Sequence, residues 1–334
     1  MTRSSRFLTP CAVFCALHLP GPAAAQDPRL ITAELILRHV ATLADDSMRG
    51  RATPSPELDQ TASYVAAAFR RAGLEPAGDS GGYVQFYAIG RDSTTPRPLA
   101  PNVVAVLRGR DPALWGEYVA VVAHMDHLGV RRPVGGDSVY NGADDNASGT
   151  AGVMALAAAF AAQPERPRRS VLFLAVSGEE RGLWGSRAFV ARPSVPLDSI
   201  VGLVNLDMIG RNRPDSVYVN GWGKSSLGDL VRRLASAHPE LGLAVGPDEE
   251  DRPQTPADSD HYPFQHEGVP YVFFYTGNHA DYHRPSDEPA RLDADKAARV
   301  TRLALYTLWA VADQQVRPTW DPEARHINVL PRKR

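Results

Sequence analysis

The sequence predicts a single α/β domain, built as a three-layer sandwich in which helices flank a mixed, largely parallel, twisted sheet. Two observations predict this fold class. Strand-like apolar runs alternate with helical runs along most of the chain, and no internal repeat or long linker interrupts them. Several of the strand-like runs, such as residues 171–176, are continuously apolar, as expected for central strands that are covered on both faces.

The composition is that of an ordinary globular protein. The 334 residues are 43% hydrophobic, 22% charged and 8% aromatic, which excludes a disordered regulator and a collagen-like fibre. Lys and Arg number 36 against 38 Asp and Glu, for a net charge of -2. Because nucleic-acid-binding domains carry a strong basic excess, we expect no nucleic-acid partner.

The first 25 residues have the pattern of a secretory signal peptide. Two arginines precede a short apolar run at residues 7–19, and three alanines end the segment before Gln26. The run is too short to span a bilayer, so we expect export to the periplasm or the medium without a membrane span. A buried N-terminal helix is the alternative. Both cysteines, Cys11 and Cys15, lie in this segment, so the mature chain would contain no disulfide.

Hydrophobic periodicity assigns the remaining elements in order. Helices are predicted at residues 30–43, 58–74, 147–162, 183–191, 227–237 and 295–313. Strands are predicted at residues 83–89, 102–107, 118–124, 170–177, 200–207, 216–220 and 270–275. The domain is predicted to cover residues 26–316, with residues 26–95 as a helical lead-in packed on it. Residues 247–258 are predicted as a surface loop, and residues 317–334 as a polar tail that frays.

Acidic and histidine side chains follow three predicted strands directly. His124 ends one strand, Glu179 and Glu180 follow the next, and Asp207 follows a third. Ligands of open α/β sheets bind beyond the carboxyl ends of the strands, so we expect these side chains to meet. The alternatives without a functional site are simple. Glu179 and Glu180 would be a solvated pair of side chains, and Asp207 would be a buried acid that pairs with another residue and binds no metal.

Two further polar clusters accompany these strand ends. Residues 141–149 read "NGADDNASG" before an Ala-rich helix, and residues 279–287 read "HADYHRPSD" after the last strand. Helix capping alone would explain the first cluster, and His283 could be an ordinary loop histidine. All these alternatives would have to hold at once, which favours a functional site.

Six strings in this order resemble the co-catalytic zinc aminopeptidases of metallopeptidase family twenty-eight, which also contains glutaminyl cyclases and glutamate carboxypeptidases. They are "AHMDHLG", "NGADDNASG", "SGEERGLWGS", "NLDMIGR", "SDHYPF" and "DYHRPSDEP". The resemblance extends from about Met48 to the last helix. It implies a fold of the zinc-peptidase-like phosphorylase/hydrolase type.

The resemblance also implies a ligand set for two Zn²⁺ ions per chain, with Co²⁺ or Mn²⁺ as substitutes. The implied ligands are His124 and Asp207 on the first zinc, Glu180 and His283 on the second, and Asp144 bridging both. In relatives, the bond equivalent to Asp144–Asp145 is cis. Asp126, Asp145 and Asp287 are implied to support the ligands, with Asp126 orienting His124 and Asp287 supporting the His283 loop. Asp260 is placed at the substrate rim. Oxygen and imidazole ligands without thiolates are consistent with zinc.

The same resemblance implies that Glu179 is the general base and that Tyr282 stabilises the developing oxyanion. Adjacent residues on a strand point in opposite directions, so Glu179 and Glu180 can both face the metals only if the chain turns, which Gly178 would permit. A negatively charged rim would hold the α-ammonium group of a peptide. We therefore expect peptide substrates with a free amino terminus, and apolar first residues beside Trp184, Trp222, Phe264 and Tyr275.

Three alternative functions are to be compared with this one on the sequence. A glutaminyl cyclase with one zinc is the nearest, although the complete ligand set favours a two-metal hydrolase. A carboxypeptidase acting on acidic peptides would need basic pocket residues that one sequence does not identify. A non-catalytic binding protein on the same scaffold would be expected to have lost ligands, and none is missing here.

Overall fold

The computed structural model describes residues 27–89, 98–247 and 259–323. The predicted signal peptide, most of the predicted surface loop and the end of the predicted tail fall outside these ranges, so those predictions stay predictions. In the ranges described, none of the helices is both long and apolar enough to cross a membrane.

Nine strands in the described ranges form one mixed sheet. They are β1 (Glu75–Pro76), β2 (Val84–Ala88), β3 (Leu99–Leu107), β4 (Tyr118–His124), β7 (Ser170–Val176), β8 (Ile200–Leu206), β9 (Ser216–Asn220), β10 (Ala244–Pro247) and β11 (Tyr271–Tyr275), while β5 (Gly129–Val134) and β6 (Asp137–Tyr140) form a separate hairpin. The order is β1-β3-β7-β4-β8-β11-β9-β10, with β2 also pairing with β3. The central strands β7, β4, β8 and β11 are parallel, whereas β3 joins β7 and β9 joins β11 in antiparallel fashion.

Helices cover both faces of this sheet. They are α1 (Ala33–Leu43), α2 (Pro56–Arg71), α3 (Gly149–Ala162), α4 (Trp184–Ala191), α5 (Ser226–Ala237), α6 (His261–His266) and α7 (Ala294–Asp313). The N-caps follow from the sequence: Thr32 accepts a hydrogen bond at the start of α1, Ser55 at the start of α2 before Pro56, and Asp293 at the start of α7.

The core is divided between the two faces of the sheet. Along β7, alternate side chains enter different clusters: Val171, Phe173 and Ala175 join the larger one, and Leu172, Leu174 and Val176 the smaller one. Residues of α1, α2, α3, α5 and α7 complete the larger cluster. Phe189 of α4 and Phe264 of α6 complete the smaller one. This arrangement confirms the predicted three-layer α/β fold.

The sequence analysis missed β1, the β5–β6 hairpin, β10 and α6, none of whose strands or helices is longer than six residues. These elements lack a buried face long enough to give a recognisable hydrophobic period, and most side chains of β5 are exposed. The predicted boundary of the domain at residue 316 stays a prediction, but the chain remains packed on the sheet beyond it. Trp320 is buried in the smaller cluster, and its Nε1 donates a hydrogen bond to the Gly268 carbonyl at 2.9 Å. One aromatic side chain therefore fixes the first part of a segment whose composition is polar.

Candidate metal centre and active site

The candidate site lies where three neighbouring parallel strands end. His124 is the last residue of β4, Asp207 directly follows β8, and the turn that carries Glu179 follows β7. Because β7, β4 and β8 are adjacent and parallel, these side chains meet at one edge of the sheet, as predicted.

A glycine turn lets Glu179 and Glu180 both reach this edge. Strand β7 stops at Val176, Gly178 has a φ of 70°, and residues Glu179–Arg181 form a 3₁₀ turn. A Cβ on Gly178 would lie 2.6 Å from the Tyr87 hydroxyl oxygen. Both the positive φ and this close approach require glycine, so the predicted turn is confirmed.

One set of potential metal ligands consists of His124, Asp145 and Asp207, which we call the first group. The Nε2 atom of His124 lies 3.4 Å from Asp145 Oδ1 and 3.4 Å from Asp207 Oδ1. Ligand atoms about 2.0–2.1 Å from a tetrahedral zinc ion lie about 3.3 Å from one another. The spacing of the first group therefore fits a zinc-sized ion.

The other set consists of His127, Asp145 and Glu180, which we call the second group. His127 Nδ1 lies 2.8 Å from Glu180 Oε1 and 3.7 Å from Asp145 Oδ2. His283 Nε2 approaches the same two carboxylates, at 3.2 Å from Asp145 Oδ2 and 3.3 Å from Glu180 Oε2. Asp145 thus presents one carboxylate oxygen to each group, as a bridging ligand does.

Buried polar atoms in both groups have no hydrogen-bond partner within the described part of the chain. They include His124 Nε2 and Asp207 Oδ1 in the first group, and His127 Nδ1 and Glu180 Oε1 in the second. Leaving such atoms unsatisfied costs about 1–3 kcal/mol each. A cation at each group would satisfy them, and the oxygen and imidazole donors suit zinc.

The geometry favours Asp145 over Asp144, the residue that the resemblance assigns as the bridging ligand. Asp144 belongs to neither group: its Oδ1 accepts a hydrogen bond from Gly210 N at 2.8 Å, and its Oδ2 lies 3.4 Å from His279 Nε2. The backbone at Asp145 is extended, with φ -103° and ψ 94°, so the two neighbouring carboxylates point to different sides. Asp145, expected only to support a ligand, takes the bridging position, and the cis bond is Asp145–Asn146.

His127 was not among the predicted site residues. It is buried, and it follows His124 by three positions in the string "AHMDHLG". A second histidine this close to the first was the available signal. This signal was not used, because the resemblance assigns no metal ligand to the position of His127.

Two of the predicted supporting residues lie behind the ligands. The backbone oxygen of Asp126 lies 3.2 Å from His124 Nδ1, and its carboxylate accepts hydrogen bonds from Thr53 Oγ1 at 2.8 Å and from Glu179 N at 3.3 Å. Asp287 accepts from the amides of Asp144 and Asp145 at 3.0–3.1 Å. Asp287 therefore orients the loop of the bridging carboxylate rather than only the His283 loop.

The carboxyl group of Glu179 is electrostatically unusual. Burial raises its pKa well above the usual range; His124 opposes this shift, and the negative charges of Asp260, Asp207 and Glu180 add to it. In Glu180, burial and Asp145 raise the pKa, but the facing imidazoles of His127 and His283 lower it to about 2. The two adjacent glutamates therefore differ: Glu179 has a proton affinity suited to a base, and Glu180 is a fixed anion suited to a cation.

The sequence profile of Peptidase family M28 matches residues 102–308, which is more than half of the chain. The chain belongs to this family. A probable zinc metalloprotease of Pyrenophora tritici-repentis is 30% identical over 180 residues, which cover 53% of this chain and 35% of that protein. The chain thus spans about a third of the length of that relative.

Two solved structures share the fold at low sequence identity. BSAP, a zinc aminopeptidase from Bacillus subtilis, superposes with a TM-score of 0.67 at 14% identity, covering 85% of this chain and 96% of that one. A glutaminyl cyclase from Porphyromonas gingivalis superposes with a TM-score of 0.62 at 19% identity, covering 84% and 98%. The fold alone therefore does not separate a peptidase from a cyclase.

Two other predicted site residues occupy different environments in this M28 domain. Asp260, expected at the substrate rim, is fully buried, and its Oδ1 accepts a hydrogen bond from Ser186 Oγ at 2.6 Å. Burial raises the pKa of Asp260 to about 7. Tyr282 is 36% exposed and its ring stacks on His283, with centroids 3.9 Å apart, so it lies at the opening of the site. Phe264, expected beside the substrate, belongs to the smaller core cluster.

Proposed function

We propose that the protein is an exported, two-zinc aminopeptidase that removes single residues from the free amino terminus of peptides. One zinc ion would occupy the first group and one the second, with Asp145 shared between them. The observation that carries this proposal is the mostly buried Glu179 carboxyl, whose pKa is raised, beside two clusters of unsatisfied metal-type ligands.

When bound, the metal ions lower the pKa of a coordinated water and polarise the scissile carbonyl. Glu179 would take the proton of that water and deliver it to the leaving amine, as a general base does. The main-chain amide of Glu179 is tied to Asp126, which also contacts His124, so the base and the first group are held in one framework. Tyr282, at the opening of the site, would stabilise the oxyanion.

The preference for a free amino terminus follows from the charge of the site. The carboxyl groups of Asp207, Glu179 and the buried Asp260 all lie near His124, on the side of the first group. A substrate ammonium group would form charge-assisted hydrogen bonds there, which a neutral acetylated terminus cannot replace. Similarity to BSAP, described as a zinc aminopeptidase, supports the same substrate class.

Replacing the proposed base tests the chemistry. We expect Glu179→Gln to keep the fold and both metal ions but to lose about 10²–10⁴-fold in kcat, the usual contribution of a general base. Glu34→Gln, on the exposed side of α1, is the matched control and should leave kcat unchanged. Near-normal turnover by a fully metallated Glu179→Gln protein would exclude Glu179 as the base.

A panel of substrates tests the reaction class. Leu-anilide should be cleaved, whereas acetyl-Leu-anilide and an internally quenched peptide blocked at both ends should not. Comparable cleavage of the blocked substrates would identify an endopeptidase or amidase. Cyclisation of an N-terminal glutamine peptide with one bound zinc would instead identify a glutaminyl cyclase. Export is tested separately, by mass spectrometry of the secreted chain, which should begin at Gln26.

A further inference from the structure

His127 is buried and its ring faces the second group. It is 1% exposed, and within the described ranges neither of its ring nitrogens makes a hydrogen bond. The separation between His127 Nδ1 and Glu180 Oε1 is only 2.8 Å, yet neither atom has a hydrogen-bond partner within the described ranges. Two potential ligand atoms that are this close without a hydrogen bond between them are arranged as two ligands of one metal ion are.

The main chain holds this ring in place. A Cβ on Gly142 would lie 2.4 Å from His127 Cγ, so the ring packs directly on the backbone of the loop that carries Asp145. His127 N donates to the Arg51 carbonyl at 3.3 Å, and the Arg51 guanidinium in turn donates to the Gly142 carbonyl at 3.0 Å. The direction of Nδ1 toward the second group is therefore fixed by two loops.

Resting on the proposed function, we propose that His127 binds the metal ion of the second group through Nδ1, as a fourth protein ligand. The other three are Asp145, Glu180 and His283. The two imidazoles each approach both carboxylates, with Glu180 presenting Oε1 to His127 and Oε2 to His283. The separations are 2.8 Å from His127 to Glu180, 3.7 Å from His127 to Asp145, 3.3 Å from His283 to Glu180 and 3.2 Å from His283 to Asp145, close to the roughly 3.3 Å between the ligand atoms of a tetrahedral zinc ion.

This assignment makes the two metal positions unequal. Within the described ranges the first group offers three protein ligands and leaves a position open, as catalytic zinc sites do. Four protein ligands at the second group would close it, as in structural zinc sites. The second position should therefore retain its metal longer under chelation, while the first loses its metal and the activity with it.

The test isolates the second position in an Asp207→Ala background, where the first group lacks a ligand. X-ray absorption at the zinc edge should count two imidazoles on the remaining ion, from His127 and His283. Three replacements of His127 then identify which ring nitrogen binds the metal ion. An Asn amide occupies the place of Nδ1 and a Gln amide that of Nε2, so His127→Asn should retain part of the affinity that His127→Gln and His127→Ala lose.

We expect His127→Gln and His127→Ala to weaken zinc binding, measured by competition with a chelator, by at least the 10–100-fold that losing an outer partner costs. His279→Gln is the matched control, because the ring nitrogens of His279 are also buried and make no hydrogen bond within the described ranges, but His279 lies near Asp144, outside both groups. It should change neither the affinity nor the imidazole count.

One imidazole on the isolated ion, with unchanged affinity in His127→Gln, would overturn the assignment. That result would leave the proposed function intact, since the wild-type protein would still bind two ions and use Glu179. Failure of the proposed function would look different: the wild-type protein would bind no zinc, or Glu179→Gln would remain active.

Discussion

The first and second groups differ in how the chain supports their side chains. His124 and Asp207 of the first group stand at the ends of β4 and β8, two adjacent strands in the centre of the sheet. His127 and Glu180 of the second group, and the adjoining His283, come from connecting segments. A strand end is positioned by the sheet, whereas a ligand on a loop needs contacts of its own.

Arg51 supplies several of those contacts. Its guanidinium is fully buried and donates to the carbonyls of Met125, Asn141 and Gly142 at 2.7–3.0 Å, as well as to Leu43. Burial lowers the pKa of Arg51 to about 10, which leaves it charged at neutral pH. One side chain thus joins the loop that carries His127 to the loop that carries Asp145.

The largest effect should follow from replacing the shared ligand. Asp145→Asn removes a carboxylate from both groups, so we expect both metal ions to be lost and activity to fall by more than about 10²-fold, given that each ion supplies several kcal/mol. The adjacent Asp144→Asn is the matched control and should retain two metals by elemental analysis. Loss of metal from Asp144→Asn, with retention in Asp145→Asn, would reverse the assignment of the two residues.

The next largest effect should distinguish the second group, whose side chains lie largely on loops, from the first group, where His124 and Asp207 stand at strand ends. Arg51→Met leaves several buried carbonyls without a donor, so we expect a loss of about 3–5 kcal/mol in the free energy of unfolding, measured by denaturant titration. Among molecules that stay folded, zinc affinity should fall more at the second group than at the first.

Arg38→Met is the control for Arg51→Met. Arg38 is exposed and pairs with Glu34 on the surface, so its replacement should change stability by less than about 1 kcal/mol. Equal losses in the two variants would show that Arg51 does not hold the loops together.

The smallest effect should appear at the first group. Ser259 Oγ donates to Asp207 Oδ2 at 2.7 Å, on the side of that carboxylate away from His124. Ser259→Ala should weaken zinc binding at the first group about tenfold, the lower end for removing an outer hydrogen bond, and leave the second group unchanged. Ser63→Ala, on the exposed face of α2, should have no effect on either group.

The same division explains what the sequence could predict. The positions of His124, Glu179 and Asp207 follow from long apolar strands whose ends must meet at one edge, and that prediction is confirmed. The choice between Asp144 and Asp145 depends on the backbone angles of an irregular turn, which neither periodicity nor composition encodes. The burial of Asp260 could not be predicted from the sequence, because it involves a contact with Ser186, which lies 74 positions away along the chain.

The most direct test is a crystal structure of the zinc-loaded protein with anomalous scattering recorded at the zinc edge. We predict two peaks about 3.5–4 Å apart, the usual spacing of two-metal hydrolytic sites, with one oxygen of Asp145 bound to each. The peak at the first group should contact His124 and Asp207, and the other should contact Glu180 and His283. A single peak, or two peaks bridged by Asp144, would contradict the proposed two-metal centre.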